Sequence, residues 1–435
     1  MADWDAALAA ADVRVLLMSV FHLTGDERWL ADPYRPARDV RLVADPEAGF
    51  PPAVATEIRS VARDLLKAGA EPVVTDPDPE LFGRMMSWCL GEEVPPEYVP
   101  MMRTDLGFAD GDVHWTDGPP PDLDLDVLVI GAGVSGLCLA AKLDRLGIPV
   151  RVVERRDSVG GTWRDNRYPG CGVDTPNHFY SYSFAPNPHW RHYFSPREEI
   201  EVYLADCADR LGVADLVTLG TEVTEARWDE ASARWQVALR GPDGDTTTSA
   251  AVLVAAAGHF GSPNEVALPG LDEFAGRSFH TARWPDDVDV TGRRVAVVGT
   301  GASAMQVVPE IAPIVDHLTV FQRTAQWARH VPLYDAAVDP DAHRLFEAVP
   351  YYDRWYRFAQ AWRYGDGLLR FLRKDPDWPH PERSLNRTND RHRREMTDHL
   401  LAELDGRPDL VAKCLPDYPP FGKRILIDNG WFRTL

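Results

Sequence analysis

"DVLVIGAGVSGLCLAAKLDRLGIPVRVVE", residues 126–154, decides the fold. A short apolar run meets a glycine turn, an amphipathic stretch follows as far as Gly147, and a second apolar run closes the segment. The period changes from that of a buried strand to that of a helix and back, the pattern of a βαβ unit with parallel strands. Gly131, Gly133 and Gly136 form GxGxxG directly after the first strand and at the start of the helix, the context that makes this motif specific. The first glycine permits the turn, the second lets backbone approach a pyrophosphate, and the third lets the helix pack closely. The helix N-terminus then offers amides and dipole to the phosphates. Glu154 ends the second strand, where a carboxylate can bond both hydroxyls of an adenosine ribose. A ribose without a 2′-phosphate is what such a site prefers, as in FAD.

The same arrangement recurs in "VAVVGTGASAMQVVPEIA", residues 295–312, followed by the strand "HLTVFQR". Gly299, Gly301 and Ala304 give GxGxxA, with Thr300, Ala302 and Ser303 in the turn. Here the second strand ends in Gln322, Arg323 and Thr324 and carries no acid. A guanidinium can form a bidentate pair with a 2′-phosphate that an acid would repel, so this second site is expected to take NADPH. Hydride from a nicotinamide then passes to a flavin. No CxxC dithiol waits to receive the electrons, which leaves oxygen as the expected acceptor.

Composition agrees with a soluble enzyme. The 46 lysines and arginines against 67 acids leave a net charge of −21, which argues against a nucleic-acid or anionic-membrane surface. The five scattered cysteines (Cys89, Cys138, Cys171, Cys207, Cys414) suit a reducing compartment and suggest no metal site. "MADWDAALAA" lacks the basic flank and apolar core of a signal peptide, so a cytoplasmic location is expected.

The expected class is α/β: two Rossmann-like dinucleotide-binding domains, for FAD and NADP, with a helical N-terminal extension and a helical insertion. Residues 1–108 carry helical periods, with Val54, Ile58, Val61 and Leu65 on one face. They read as a cap or association domain, with a homodimer through this region as the partner expectation. Residues 109–125, rich in proline, glycine and aspartate, read as a linker. The FAD-binding domain is expected over 126–270, with hairpin strands around "GPDG" at 241–244, a joining loop over 271–290, and the NADP-binding domain over 291–435. That last domain holds a helical insertion, 334–410, whose crowded aromatics (Tyr351, Tyr352, Trp355, Tyr356, Phe358, Trp362, Tyr364) are expected, at helical spacing, to pack rather than line a pocket.

One loop carries the resemblance to a family. Phe274, Gly276, His280, Trp284 and Pro285, in "FAGRSFHTARWP", fit the FxGxxxHxxxW(P/D) fingerprint of the flavin-dependent Baeyer–Villiger monooxygenases, and lie between two dinucleotide turns as in that family. "GGTWRDNRYPG" at 160–170, "FYSYSF" at 179–184, "VFQRT" at 320–324 and "FGKR" at 421–424 agree with it. The helical extension and "GVDTP" at 172–176 resemble the 4-hydroxyacetophenone monooxygenase branch.

The resemblance implies an FAD- and NADPH-dependent enzyme in which a peroxide anion on flavin C4a attacks a ketone, an aryl ketone in the nearest branch, to give an ester or lactone. It implies Arg424 as the permanent cation of the active site and Asp174 as the carboxylate that holds it, with Gly161, Thr162 and Trp163 lining the flavin. His280 is suited to bonding backbone across a hinge and Trp284 to packing over cofactor or domain surface. Arg164, Asp165 and Cys171 depart from the family's pattern and are expected to alter the pocket. "IDNGWFRTL" ends the chain soon after Arg424, so the sequence reads as C-terminally incomplete. Two alternatives stand beside the main reading: a sulfide- or amine-oxygenating flavin monooxygenase, and a non-catalytic fragment that binds nucleotide or dimerises.

Overall fold

The computed structural model describes residues 4–38, 45–120, 123–264 and 268–435. The chain forms two compact units. The smaller comprises residues 112–172 and 196–291, and the larger comprises 1–111, 173–195 and 292–435.

In the smaller unit, β1 (Val127–Ile130), β2 (Val150–Val153), β3 (Val217–Thr218) and β7 (Val252–Ala255) make a parallel sheet in the order β3-β2-β1-β7. Parallel neighbours need a crossover, and the helix Val134–Arg145 supplies it between β1 and β2. Val127, Leu128 and Val129 of the central strand are buried, which is why this run is apolar throughout and does not alternate. Between β3 and β7 the chain makes an antiparallel meander, β4 (Glu222–Asp229), β5 (Arg234–Gly241) and β6 (Gly244–Ala250), with Gly241 paired to Gly244 across the "GPDG" turn. Val237 and Ala250 face inward and share a small core with Leu128 and Val153.

In the larger unit, β8 (Arg294–Val298) and β9 (His317–Phe321) pair in parallel around the helix Ala302–Ile311. A second parallel pair joins β10 (Ala328–His330) to β11 (Leu426–Asp428).

The helices Val13–Thr24, Pro52–Lys67 and Pro79–Leu90 do not stand apart as a separate extension. They share one core with Pro340–Ala348 and Tyr352–Tyr364. Tyr352, Trp355 and Phe358 are at most 2% exposed, so these insertion aromatics pack and do not line a pocket. His22 shows how specific the packing is. Trp355 donates from Nε1 to His22 Nε2 at 2.9 Å, which leaves the proton on Nδ1, 2.5 Å from the Val74 carbonyl. The ring stacks on Tyr351 and Phe108, and burial pulls its pKa from 6.5 down to about 4.

One expected boundary is interrupted. Residues 173–195, read as part of a continuous 126–270 domain, belong to the larger unit. The reason is backbone pairing: Val338 N donates to Arg191 O at 2.8 Å, Tyr193 N donates to Ala336 O at 3.3 Å, and His192 bridges Ala337.

All five cysteines are free, with only Cys138 short of full burial. Among the described residues no group of histidine, cysteine or acidic side chains is arranged to hold a metal ion. No described helix is long and apolar enough to cross a membrane.

Candidate active site

The first glycine turn sits between β1 and its helix. Gly131 has φ +103°, and a Cβ on Gly136 would lie 1.9 Å from the Gly131 carbonyl oxygen. No side chain fits at either position, so the helix begins directly against the strand end. Gly133 faces Gly161, whose own Cβ would approach the Gly133 Cα to 2.9 Å, and Gly160 N donates to Ala132 O at 3.0 Å. Two glycine turns thus press backbone against backbone, and their bare surface is the kind of cradle a pyrophosphate requires.

Glu154 is buried, and its carboxylate accepts from Ala132 N at 2.8 Å and from Arg156 N at 2.9 Å. The side chain therefore braces the glycine turn itself. Each oxygen keeps a second lone pair, which leaves acceptors for ribose hydroxyls.

Thr162 and Trp163 open a one-turn helix, Thr162–Asp165, after Gly161, and Trp163 is buried. The neighbouring Arg164 donates to Ser158 Oγ at 2.7 Å and to Asp157 at 2.8 Å, and Asp165 pairs with Arg156 at 2.7 Å. These two departures from the family pattern are occupied in local ion pairs. Cys171 is buried, and burial pushes its thiol pKa up to about 11, which makes it a small apolar filler.

In the larger unit the second turn has the same build with a different strand end. Gly299 has φ +116° and donates to Phe321 O at 2.9 Å. Thr300 Oγ1 donates to Thr324 O at 3.1 Å, which ties the turn to the residue after Arg323. Gly301 precedes the helix that Ala302 and Ser303 begin, and no atom lies within 4 Å of where its Cβ would be. Arg323 is exposed and makes no ion pair among the described residues. An uncommitted guanidinium beside an open helix N-terminus suits a phosphate.

The fingerprint loop lies in the smaller unit. The Phe274 ring covers Gly276, where a Cβ would come within 2.6 Å of it; this is the steric reason for glycine two residues after the phenylalanine. His280 Nδ1 accepts from Ala282 N at 3.0 Å and so caps the short turn Thr281–Arg283. The expected bond across a hinge is here a bond within the loop, because a histidine at a turn's N-cap reaches the amide two residues on. Trp284 stands edge-on to Phe279 with centroids 5.1 Å apart, and Arg277 grips Asp287 through two bonds of 2.9 and 3.0 Å.

Arg424 and Asp174 meet in the larger unit. Arg424 Nη2 donates to Asp174 Oδ2; the guanidinium is about three-fifths exposed and the carboxylate one-fifth. β11 begins two residues after Arg424 and lies beside β10. Asp174 is held from both sides: Val173 N donates to Ser195 O at 3.0 Å, and the fully buried Asn177 binds His192 O at 2.7 Å and the Ser195 backbone N–H at 3.1 Å.

Residues 129–196 match the NAD(P)-binding Rossmann-like domain family, and residues 177–364 match the L-lysine 6-monooxygenase/L-ornithine 5-monooxygenase family. A Baeyer–Villiger monooxygenase of Streptomyces coelicolor is 42% identical over 311 residues, 71% of this chain and 56% of that protein. A Baeyer–Villiger monooxygenase of Pseudomonas aeruginosa is 35% identical over 311 residues, 71% of this chain and 56% of that protein. An uncharacterized monooxygenase of Sinorhizobium fredii is 42% identical over 433 residues, 99% of this chain and 65% of that protein. The chain thus spans less than two thirds of these relatives' length. The crystal structure of OTEMO in complex with FAD and NADP superimposes with a TM-score of 0.58 at 26% identity, covering 72% of this chain and 64% of that one. The two Rossmann-like turns of this chain follow the same α/β plan.

Sequence reading did not find Asn177, whose hydrogen bonds to residues 192–195 hold the segment that carries Asp174. Nor did it find the contact of His399 Nε2 with Asp428 Oδ2 at 2.5 Å, which ties the helix Arg387–Glu403 to β11. A polar residue inside an apolar or aromatic stretch was the available signal, and it says nothing about the partner.

Proposed function

We propose that this chain belongs to an FAD-containing, NADPH-dependent monooxygenase that inserts one oxygen atom of O2 beside a ketone carbonyl to give an ester or lactone. The Arg424–Asp174 pair carries the reading, because a cation held in place by a carboxylate suits the negative charge that builds on oxygen during insertion. The first glycine turn would hold FAD, with Glu154 at the ribose and Gly161, Thr162 and Trp163 alongside. Gly299 to Ser303, with Arg323 and Thr324, would hold NADPH by its phosphates. Bound there, FAD would supply acceptance of the NADPH hydride and activation of O2, one oxygen atom of which would enter the substrate while the other would leave as water.

The chain's own residues then have distinct tasks. Arg424 stays charged at any working pH and presents N–H donors to negative charge that builds on oxygen during insertion. Asp174 fixes the direction of that guanidinium, so no reorientation is required when charge develops. The fingerprint residues shape a rigid loop: Phe274 over Gly276, His280 capping, Trp284 against Phe279.

The aryl-ketone preference rests on resemblance to the 4-hydroxyacetophenone branch. A homodimer through residues 1–108 would have to use their outer surface, where Val73, in the loop after the helix Pro52–Lys67, and Met101, on the helix Val99–Asp105, are exposed. The match of residues 177–364 to lysine and ornithine monooxygenases favours a second reading, oxygenation of a soft nucleophile such as an amine.

The test is to supply FAD, NADPH and O2 with acetophenone, a thioether and a primary amine in parallel. Ketone-dependent NADPH consumption with ester product is expected. Oxygenation of the amine alone would transfer the proposal to the second reading.

A further inference from the structure

Arg357 is a buried arginine in the aromatic helix Tyr352–Tyr364, and each of its five N–H groups is engaged. Nε and Nη2 bind the two oxygens of Asp105 at 3.0 and 3.1 Å. Nη1 reaches the carbonyls of His178 and Phe179 at 3.0 and 3.2 Å and Ser181 Oγ at 3.0 Å, while Nη2 also reaches Ser181 O at 3.2 Å. One guanidinium thus joins three parts of the chain: the end of the helix Val99–Asp105, the insertion helix, and the turn at 178–181. That turn begins four residues after Asp174.

A buried guanidinium that bonds the carbonyls of His178, Phe179 and Ser181 fixes the path of their backbone. Its charge would be costly there without a counter-ion, and Asp105 is the carboxylate that provides it. Asn177 holds the same segment to residues 192–195, so the backbone between Asp174 and Ser181 is pinned at two places. Lysine, with three donors on one nitrogen, could not reproduce the fork.

We infer that Arg357, neutralised by Asp105, is a positioning residue for the Asp174–Arg424 pair, so that the N-terminal helical region sets the direction of the active-site cation. The inference rests on reading that pair as the oxygen-insertion machinery.

Hydrogen–deuterium exchange of the purified chain tests the anchor without requiring turnover. In Asp105→Asn, peptides covering 173–182 and 419–428 should exchange faster, while the 126–140 peptide of the first glycine turn is unchanged. Unchanged exchange at 173–182, or acceleration of every peptide alike, would overturn the inference. Kinetics test the consequence. Asp105→Asn should lower the rate of ester formation by more than about tenfold with flavin reduction by NADPH within about twofold of the parent, and Asp105→Glu should restore most of the loss. Added to Asp174→Ala, Asp105→Asn should cost less than about a further twofold, because both act through one pair; additive losses would mean a scaffold role only. A parent that makes no ester would refute the oxygen-insertion reading alone, and the exchange result would still decide whether Arg357 seats the Asp174 segment.

Discussion

Arg424 and Asp174, 250 positions apart in sequence, form an ion pair within one compact unit. Asp174 enters that unit on a short excursion of the chain, residues 173–195, between two stretches of the other unit. Arg424 arrives from the far end, just ahead of β11. The pair depends on the excursion.

Arg424→Ala should retain flavin and be reduced by NADPH at close to the parent rate, yet lose ester formation by about 100- to 1000-fold, the usual effect of removing one donor to developing oxygen charge. Gas chromatography of product alongside stopped-flow reduction separates the two steps. Equal loss in both would remove Arg424 from oxygen insertion.

The free guanidinium of Arg323 predicts a coenzyme effect. Arg323→Ala should weaken NADPH by about 10- to 100-fold, as expected for one charge-assisted pair, and NADH by far less. Dissociation constants for the two coenzymes measured by titration decide it, and parallel weakening would exclude a 2′-phosphate contact.

Gly136→Ala places a methyl group 1.9 Å from the Gly131 carbonyl oxygen, so the helix Val134–Arg145 must shift away from β1. The variant should purify without bound flavin and not regain the visible spectrum on adding FAD. Full retention of flavin would show that the turn tolerates the shift and that the pyrophosphate lies elsewhere.

Stability should fall in acid. The folded pKa of His22 is lowered from 6.5 to about 4, chiefly by burial, and that of His178 to about 3 for the same reason. A histidine whose folded pKa is depressed leaves the unfolded state binding more protons. Its contribution is therefore complete above pH 6.5 and is lost as the pH falls towards the folded value. For His22 alone the loss across that window is about 3 kcal/mol. Urea unfolding midpoints of the parent and of His22→Gln between pH 7 and 4.5 check this; the parent's pH slope should be the steeper, and identical slopes would mean that His22 does not titrate on unfolding.

Both glycine turns, their strands and helices, and the contrast between Glu154 and Arg323 were legible in the sequence, because each is set within about thirty residues by period and by where a Cβ cannot go. The insertion aromatics were legible as helical, and their spacing already favoured packing over a pocket. The loop at 274–285 was recognisable as a motif, but the bond from His280 to Ala282 within it was not, since a histidine's partner depends on backbone direction. Arg357 was invisible as a functional residue, being one arginine in an aromatic helix.

The sequence by itself determined the two βαβ units and the chemistry each turn offers, because strand and helix periods and glycine sterics are local. Only the tertiary structure decided that residues 1–108 share a core with 338–362 and that residues 173–195 leave one unit for the other. It also decided that Arg357 and Asn177 seat the carboxylate facing Arg424. Those outcomes depend on which buried donors find acceptors hundreds of residues away, and no local period encodes that pairing.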